Sequence, residues 1–182
     1  IVRFRLFDDG LGFRYEFPKQ DELKYFVIKE EHTEFQLAGN HKIFWIPGDY
    51  DSQEYVYNET SFSDIDTQKL NLNNGIGVKS ISGKYTVQSP LMMKSPSGLY
   101  LNIFEAAVVN YPVMHLEANV KDYKLTSQLV PNAIGDKGYL QAPCVSPWRT
   151  IMISDDARDI VGSKMILNLN EPTKFEDVSW IK

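Results

Sequence analysis

The sequence contains almost no cysteine, no basic surplus and no long apolar run. Cys144 is the single cysteine among 182 residues, so no disulfide can form within the chain. The net charge is −5 and no cluster of lysine and arginine stands out. We therefore expect neither nucleic acid nor an anionic membrane as a partner, because phosphate binding needs a basic surface. No apolar stretch approaches the roughly 18 residues that a membrane helix requires.

Familiar catalytic motifs are also missing. No glycine-rich phosphate loop precedes a helix, and no Gly-x-Ser-x-Gly elbow occurs. The histidines His32, His41 and His115 are too scattered for zinc-ligand spacing. Cys144 lies between a proline and a valine, which favours an inert thiol over a nucleophile. No complete catalytic site is therefore visible in this sequence.

Aromatic residues and short alternating segments dominate what is present. The 10 Phe, 10 Tyr and 3 Trp residues favour pleated, half-buried surfaces. Alternation broken by Gly, Pro and Asn turns predicts strands at 1–7, 12–17, 25–34, 43–46, 87–94, 99–105, 114–120, 124–130, 149–154 and 163–169. One short helix is predicted at residues 155–158, with an aspartate as its N-cap. This pattern predicts an all-β, antiparallel sandwich or barrel.

The segment 45–51 (WIPGDYD) is a first candidate for chemistry. It leads into a polar stretch over 49–80, which we predict to be a long loop, and such loops are often functional. Trp45 could stack on a sugar ring while Asp49 and Asp51 bind hydroxyl groups. The residues alone favour a structural turn, in which the rings cover the edge of the core and the aspartates form Asx-turns.

Glu105 is a second candidate. The strand that begins at Leu99 places Leu99, Leu101, Ile103 and Glu105 on one face, so the carboxylate ends an apolar row. A buried carboxylate is costly unless it is paired or bound to a metal, and calcium prefers carboxylate oxygens. The alternative is that the strand ends there and the side chain points to water. Arg149 is a weaker candidate that could bind a carboxylate bidentately, in the core or across an interface.

Five segments carry a recognisable family pattern: 1–18 (IVRFRLFDDGLGFRYEFP), 44–55 (FWIPGDYDSQEY), 98–107 (GLYLNIFEAA), 147–154 (PWRTIMIS) and 167–182 (LNLNEPTKFEDVSWIK). Together they resemble the N-terminal domain of glycoside-hydrolase family 97, most of all its α-glucosidase branch from Bacteroides starch utilisation. The resemblance implies a β-super-sandwich of the galactose-mutarotase type. Because the chain starts inside a strand, we expect the domain to be incomplete at its N-terminal side. Residues 1–182 would be most of one domain, and a catalytic (β/α)₈ barrel would follow residue 182.

The resemblance also implies the chemistry of the parent enzyme. It would be a periplasmic, exo-acting, calcium-dependent α-glucosidase that hydrolyses α-linked oligosaccharides derived from starch, with its acid and base in the barrel. Glu105 matches the one carboxylate that this domain contributes as a calcium ligand. Trp45, Asp49, Asp51 and Arg149 are the further substrate-binding candidates. The expected partners are the oligosaccharide and the domain's own barrel.

Other functions remain open at this point. The same family includes retaining α-galactosidases, and the carboxylate that separates retaining from inverting members would lie in the barrel. The aromatic content and the 45–55 loop also suit a non-catalytic carbohydrate-binding or scaffolding module. A mutarotase-like activity follows from fold analogy alone, and no histidine spacing supplies its acid and base.

Overall fold

The computed structural model describes residues 1–72, 79–175 and 177–181, and most of its regular structure is strand. The strands are Val2–Phe7 (β1), Gly10–Phe17 (β2), Tyr25–Ile28 (β3), Glu34–Gln36 (β4), Lys42–Trp45 (β5), Asn58–Ser61 (β6), Thr86–Gln88 (β7), Leu91–Lys94 (β8), Tyr100–Ala106 (β9), Met114–Asn119 (β10), Lys124–Leu129 (β11), Gly138–Gln141 (β12), Cys144–Val145 (β13) and Trp148–Ser154 (β14). The helices are two 3₁₀ turns, Phe62–Asp64 and Thr67–Lys69, and two short α-helices, Ala157–Gly162 (α1) and Met165–Leu169 (α2). No helix in the described ranges is long and apolar enough to cross a membrane.

The described strands form three antiparallel sheets, and the two larger ones pack face to face. The larger sheet has eight strands in the order β1-β2-β14-β9-β8-β5-β6, with β13 paired to β2. The smaller sheet has the order β4-β11-β10-β7, and β12 pairs separately with β3. This arrangement confirms the all-β, antiparallel sandwich that the alternating sequence predicted.

The space between the two sheets is filled by one apolar layer. Ile43, Met93 and Ile103 face it from the larger sheet, and Leu116 and Leu125 face it from the smaller sheet. Each of these side chains is at most 2% exposed. Removing such a side chain from water contributes about 1.5–3 kcal/mol, so the period-two alternation is what drives the sheets together.

The outer face of the larger sheet is covered by the two α-helices. Ile160 of α1 and Met165 and Leu169 of α2 pack against Trp148 and Met152 of β14. This second apolar cluster buries Trp148 and Met152 on the outer face of β14, and Arg149 on the inner face is also fully buried. An arginine on such a strand, as β14 carries at position 149, must therefore find its partners inside the protein.

The helices correct one strand prediction and agree with one helix prediction. Residues 163–169, predicted to be a strand, contain α2. Met165, Ile166 and Leu169 all pack on the sheet, and a helical turn places them on one side, whereas a strand would direct Ile166 away from the other two. The predicted aspartate cap is present, since the Asp156 carboxylate accepts the N–H of Arg158, the second residue of α1.

Three other predicted segments differ from the observed elements, because the chain changes sheet or forms short elements within them. The predicted strand 87–94 covers β8 and most of β7, which pair in different sheets. The predicted strand 25–34 covers β3 and reaches only the first residue of β4, which also pairs in a different sheet. Alternation does not reveal where the chain crosses between sheets. The predicted loop over 49–80 contains β6, which pairs with β5, and both 3₁₀ turns. The run of Asn and Gly at 73–77 in that loop lies outside the described residues.

Candidate functional site

Glu105 lies on the inner face of β9, where the chain leaves the larger sheet. The antiparallel register of β9 and β14 places Arg149 directly opposite it. The loop over 107–113 then carries the chain across to β10 of the smaller sheet. Ala107 (φ 54°) and Asn110 (φ 53°) adopt the left-handed conformation in this loop, which is uncommon for residues other than glycine. These turns bring the start of β10 back towards Glu105.

The carboxylate of Glu105 receives one donor from each sheet. The Arg149 Nη1 group donates to Oε1, and the backbone N–H of Met114 donates to Oε2 at 2.8 Å. Glu105 is 4% exposed, so it does not point to water as the alternative orientation required. An ionised carboxylate has roughly four acceptor positions, so about two remain on Glu105 after these contacts.

A second buried carboxylate, Glu31, holds the other side of Arg149. The Arg149 Nε and Nη2 groups donate to Glu31 Oε1 and Oε2 at 2.9 and 2.7 Å. The hydroxyl groups of Thr33 and Tyr111 each donate to one Glu31 oxygen, at 2.7 and 2.8 Å. Arg149 is fully buried, so it is engaged in the bidentate core contact that was one of its two expected arrangements. In this conformation it is not accessible to a substrate.

The two carboxylates respond differently to burial. Burial raises the pKa of Glu105, and the opposing effects of the Arg149 charge and the Met114 N–H do not fully offset it. Burial also acts to raise the pKa of Glu31, but its contacts with Arg149, Thr33 and Tyr111 outweigh burial and lower that pKa. With both carboxylates ionised the cluster has one net negative charge, which a cation could neutralise.

A pocket of about 200 Å³ lies beside Glu105. Its lining combines polar side chains, Gln53 and His115, with the apolar Val108 and Val113 of the 107–113 loop. Pockets that bind small organic ligands usually measure about 300–1,000 Å³. This pocket therefore suits an ion or a single chemical group better than an oligosaccharide.

Glu105 fits one part of a calcium site. Calcium takes about six to eight oxygen ligands. Glu105 offers a carboxylate that still has acceptor positions, in a cluster with Arg149 and Glu31 whose net charge is negative. Across residues 1–72, 79–175 and 177–181, no group of three or more His, Cys, Asp and Glu could hold a metal ion. The described residues therefore supply no complete set of His, Cys, Asp and Glu ligands around Glu105, and its metal role stays a prediction.

Trp45 has a structural position at the end of β5. It is 1% exposed, and its indole Nε1–H donates to the Thr60 hydroxyl at 3.0 Å. Stacking on a sugar needs an open ring face. The placement of Trp45 therefore argues against the stacking role that the sequence suggested.

Asp49 organises the loop that follows Trp45. Its Oδ1 accepts the N–H groups of Asp51 and Ser52 at 2.8 and 3.0 Å, and its Oδ2 accepts the Tyr55 hydroxyl at 2.6 Å and the Ser80 N–H at 3.0 Å. This is the Asx-turn arrangement considered as the alternative to sugar binding. Asp49 is 3% exposed and has no acceptor position left for a ligand. Asp51 is exposed, and its carboxylate accepts the Ser80 hydroxyl.

Sequence reasoning missed Glu31. It lies within residues 29–34 (KEEHTE), a polar stretch that is typical of a solvated segment. The signal in the sequence that could have pointed to such a partner was Arg149, an arginine within the otherwise mostly apolar strand segment 147–154. A buried arginine nearly always requires a carboxylate partner, and residue 31 is one of many acidic candidates.

Comparison with known proteins links these features to a family. The family model described as "Glycosyl-hydrolase 97 N-terminal" matches residues 1–172. A glycoside-hydrolase family 97 enzyme from Pseudoalteromonas sp. strain K8, solved in complex with acarbose, is 37% identical with a TM-score of 0.82 over 100% of this chain. A variant of that enzyme in complex with panose gives the same identity, coverage and TM-score. In both cases the match covers 25% of the solved chain.

A more distant relative has a different activity in its name. The retaining alpha-galactosidase of Bacteroides thetaiotaomicron is 23% identical over 204 residues, which cover 100% of this chain and 29% of that enzyme. The chain thus spans between a quarter and a third of the length of these relatives.

Proposed function

Because this chain belongs to glycoside-hydrolase family 97 as its N-terminal domain, we propose that it is part of a calcium-dependent, exo-acting α-glucosidase and supplies Glu105 as a calcium ligand. The enzyme would hydrolyse α-glucosidic bonds of starch-derived oligosaccharides in the periplasm. The match covers 25% of the solved relatives, which leaves room for further domains, and we place the acid and base in a (β/α)₈ barrel that follows this domain.

The observation that carries this proposal is the state of Glu105. It is buried, it keeps about two acceptor positions, and it borders a pocket of ion size within a cluster of net negative charge. When bound, calcium would orient sugar hydroxyls and complement negative charge in the site. The part played by this chain is to bind the ion through Glu105 and to hold that carboxylate in place through Arg149 and Met114.

The choice of a glucoside rests on the relatives. The enzyme solved with acarbose and panose is 37% identical, whereas the α-galactosidase is 23% identical. Panose is itself built from α-linked glucose units, which favours a glucosidase. An α-galactosidase of the same family is the second candidate, supported by the named Bacteroides relative. A non-catalytic sugar-binding module finds less support, because Trp45 is buried and the pocket beside Glu105 is small.

Glu105→Gln in the full-length enzyme tests the role of the carboxylate. The amide keeps the shape but loses the charge, so calcium binding by the metal-stripped enzyme should weaken at least about tenfold in calorimetry. Glu117→Gln is the matched control, since Glu117 is an exposed glutamate of β10. At a calcium concentration that saturates the wild type, hydrolysis of 4-nitrophenyl α-glucoside should be slower in Glu105→Gln, because less calcium is bound. It should be unchanged in Glu117→Gln.

Two results would contradict the proposal. Calcium affinity equal to that of the wild type in Glu105→Gln would remove Glu105 from the ion site. Faster hydrolysis of 4-nitrophenyl α-galactoside than of the α-glucoside by the wild-type enzyme would leave the family intact and replace glucosidase by galactosidase.

A further inference from the structure

We propose that Glu31 and Arg149 are positioning residues for Glu105, which fix its carboxylate and give the ion site its negative charge. Neither residue would touch the ion or the substrate. The inference deepens the proposed function and rests on Glu105 being a calcium ligand.

The first step is the geometry of Arg149. Its guanidinium is planar and rigid, and it binds Glu31 along one edge and Glu105 through the remaining Nη1 group. Glu31 binds the Nε and Nη2 groups together, which fixes the plane, and Nη1 then reaches Glu105 on the neighbouring strand. An arginine held at only one edge could rotate with its side chain, so Glu31 determines where Glu105 Oε1 is held.

The second step is the anchoring of Glu31 itself. Its oxygens accept the hydroxyl groups of Thr33 and Tyr111, and Thr33 shares a 2.8 Å hydrogen bond with the Tyr15 hydroxyl of β2. Tyr111 belongs to the 107–113 loop, whose Val108 and Val113 line the pocket. Glu31 therefore joins the larger sheet, the pocket loop and Arg149 in one network of hydrogen bonds.

The third step is charge. Arg149 alone would neutralise Glu105 and leave the pair with no net charge for a cation to complement. Glu31 neutralises Arg149 from the opposite side, so the ionised cluster keeps one negative charge next to the pocket. At low effective dielectric such a charge is felt strongly, which is why a residue that is 7% exposed and outside the pocket lining can act on the ion.

The experiment is Glu31→Gln in the full-length, metal-stripped enzyme, with calcium affinity measured by calorimetry. Calcium binding should weaken about 10- to 100-fold, the usual effect of losing a residue that orients a metal ligand. Saturating calcium should restore hydrolysis of the α-glucoside to nearly the wild-type kcat, because Glu31 does not reach the substrate. A purely structural role for Glu31 would lower the stability of the metal-free enzyme and leave the calcium affinity of the folded enzyme unchanged.

Thr33→Val is the matched control, since it removes one neutral hydrogen bond to the same carboxylate without changing its charge. We expect its calcium affinity to stay within about twofold of the wild type. Wild-type affinity in Glu31→Gln, or an equal loss in Thr33→Val, would overturn the inference.

Circular dichroism checks that Glu31→Gln is folded. If it is not, Arg149→Lys replaces it, because lysine keeps the charge but cannot bind Glu31 at two points while it reaches Glu105. Calcium binding should then weaken about tenfold, and unchanged binding would overturn the inference as well.

The two proposals can fail separately. Unchanged calcium affinity in Glu105→Gln defeats the proposed function. A loss of affinity in Glu105→Gln combined with wild-type affinity in Glu31→Gln defeats only the positioning role.

Discussion

Asp49 and Glu105 are both buried carboxylates, yet the protein treats them differently. Asp49 receives four neutral donors from its own loop and from Ser80, and these outweigh the effect of burial and lower its pKa. Glu105 receives two donors, and burial raises its pKa. Asp49 is saturated and holds a loop together, whereas Glu105 keeps acceptor positions beside a pocket. Burial alone therefore does not identify a functional carboxylate; unused acceptor capacity next to open space is more informative.

The largest expected loss of stability comes from Trp45, which precedes the loop that Asp49 holds together. Trp45→Ala should lower the stability of this region by about 3–5 kcal/mol, because it empties a core position. Native-state hydrogen exchange of the β5 and β6 amides in the full-length enzyme measures the change. KM for the oligosaccharide should not change. A raised KM with unchanged exchange would instead return Trp45 to the binding site.

Asp49→Ala comes next and tests whether this carboxylate is only structural. It leaves several buried donors unpaired and should destabilise the loop by about 2–3 kcal/mol, seen as faster exchange over 49–55. Calcium affinity should stay at the wild-type value, unlike in Glu105→Gln. Weaker calcium binding in Asp49→Ala would break the distinction between the two carboxylates.

The same contrast has a pH signature. The pKa of Asp49 in the folded protein lies below its ordinary value of 3.8, so its contribution is complete above that value and is lost as the pH falls through the folded pKa. The protection of the amides of 49–55, measured as exchange relative to the intrinsic rate at each pH, should therefore fall on acidification below about pH 4 in the wild type. Asp49→Asn should remove this loss of protection, since the amide does not titrate in that range.

The smallest effect is expected for Tyr55→Phe, which removes one of the four donors to Asp49. The loop should lose about 1 kcal/mol, the typical value of one hydrogen bond. Burial and the contact with Asp49 raise the pKa of Tyr55 to about 12, so the phenol is a donor throughout the neutral range. An effect as large as that of Asp49→Ala would mean that Tyr55, not the carboxylate, holds the loop.

Particular residues separate what could be predicted from what could not. The alternation of β9 correctly placed Glu105 on the face of Leu101 and Ile103, since side-chain direction in a strand depends only on position. The same reasoning failed for 163–169, where a short apolar segment forms α2, because a few apolar residues satisfy both periods. For Trp45 and Asp49 the motif was visible, and its residues alone favoured a structural turn over a sugar site without excluding the latter.

The sequence by itself determined the all-β class, the inward face of each long strand and the five segments that carry the family likeness. Only the tertiary structure decided that Arg149 lies between Glu105 and Glu31, that Trp45 is buried and that Asp49 is saturated. The reason is range: alternation is a property of neighbouring residues, whereas Arg149 meets partners 44 and 118 positions away. Such contacts depend on sheet register and on where loops cross between the sheets, and neither is encoded in any short stretch of the chain.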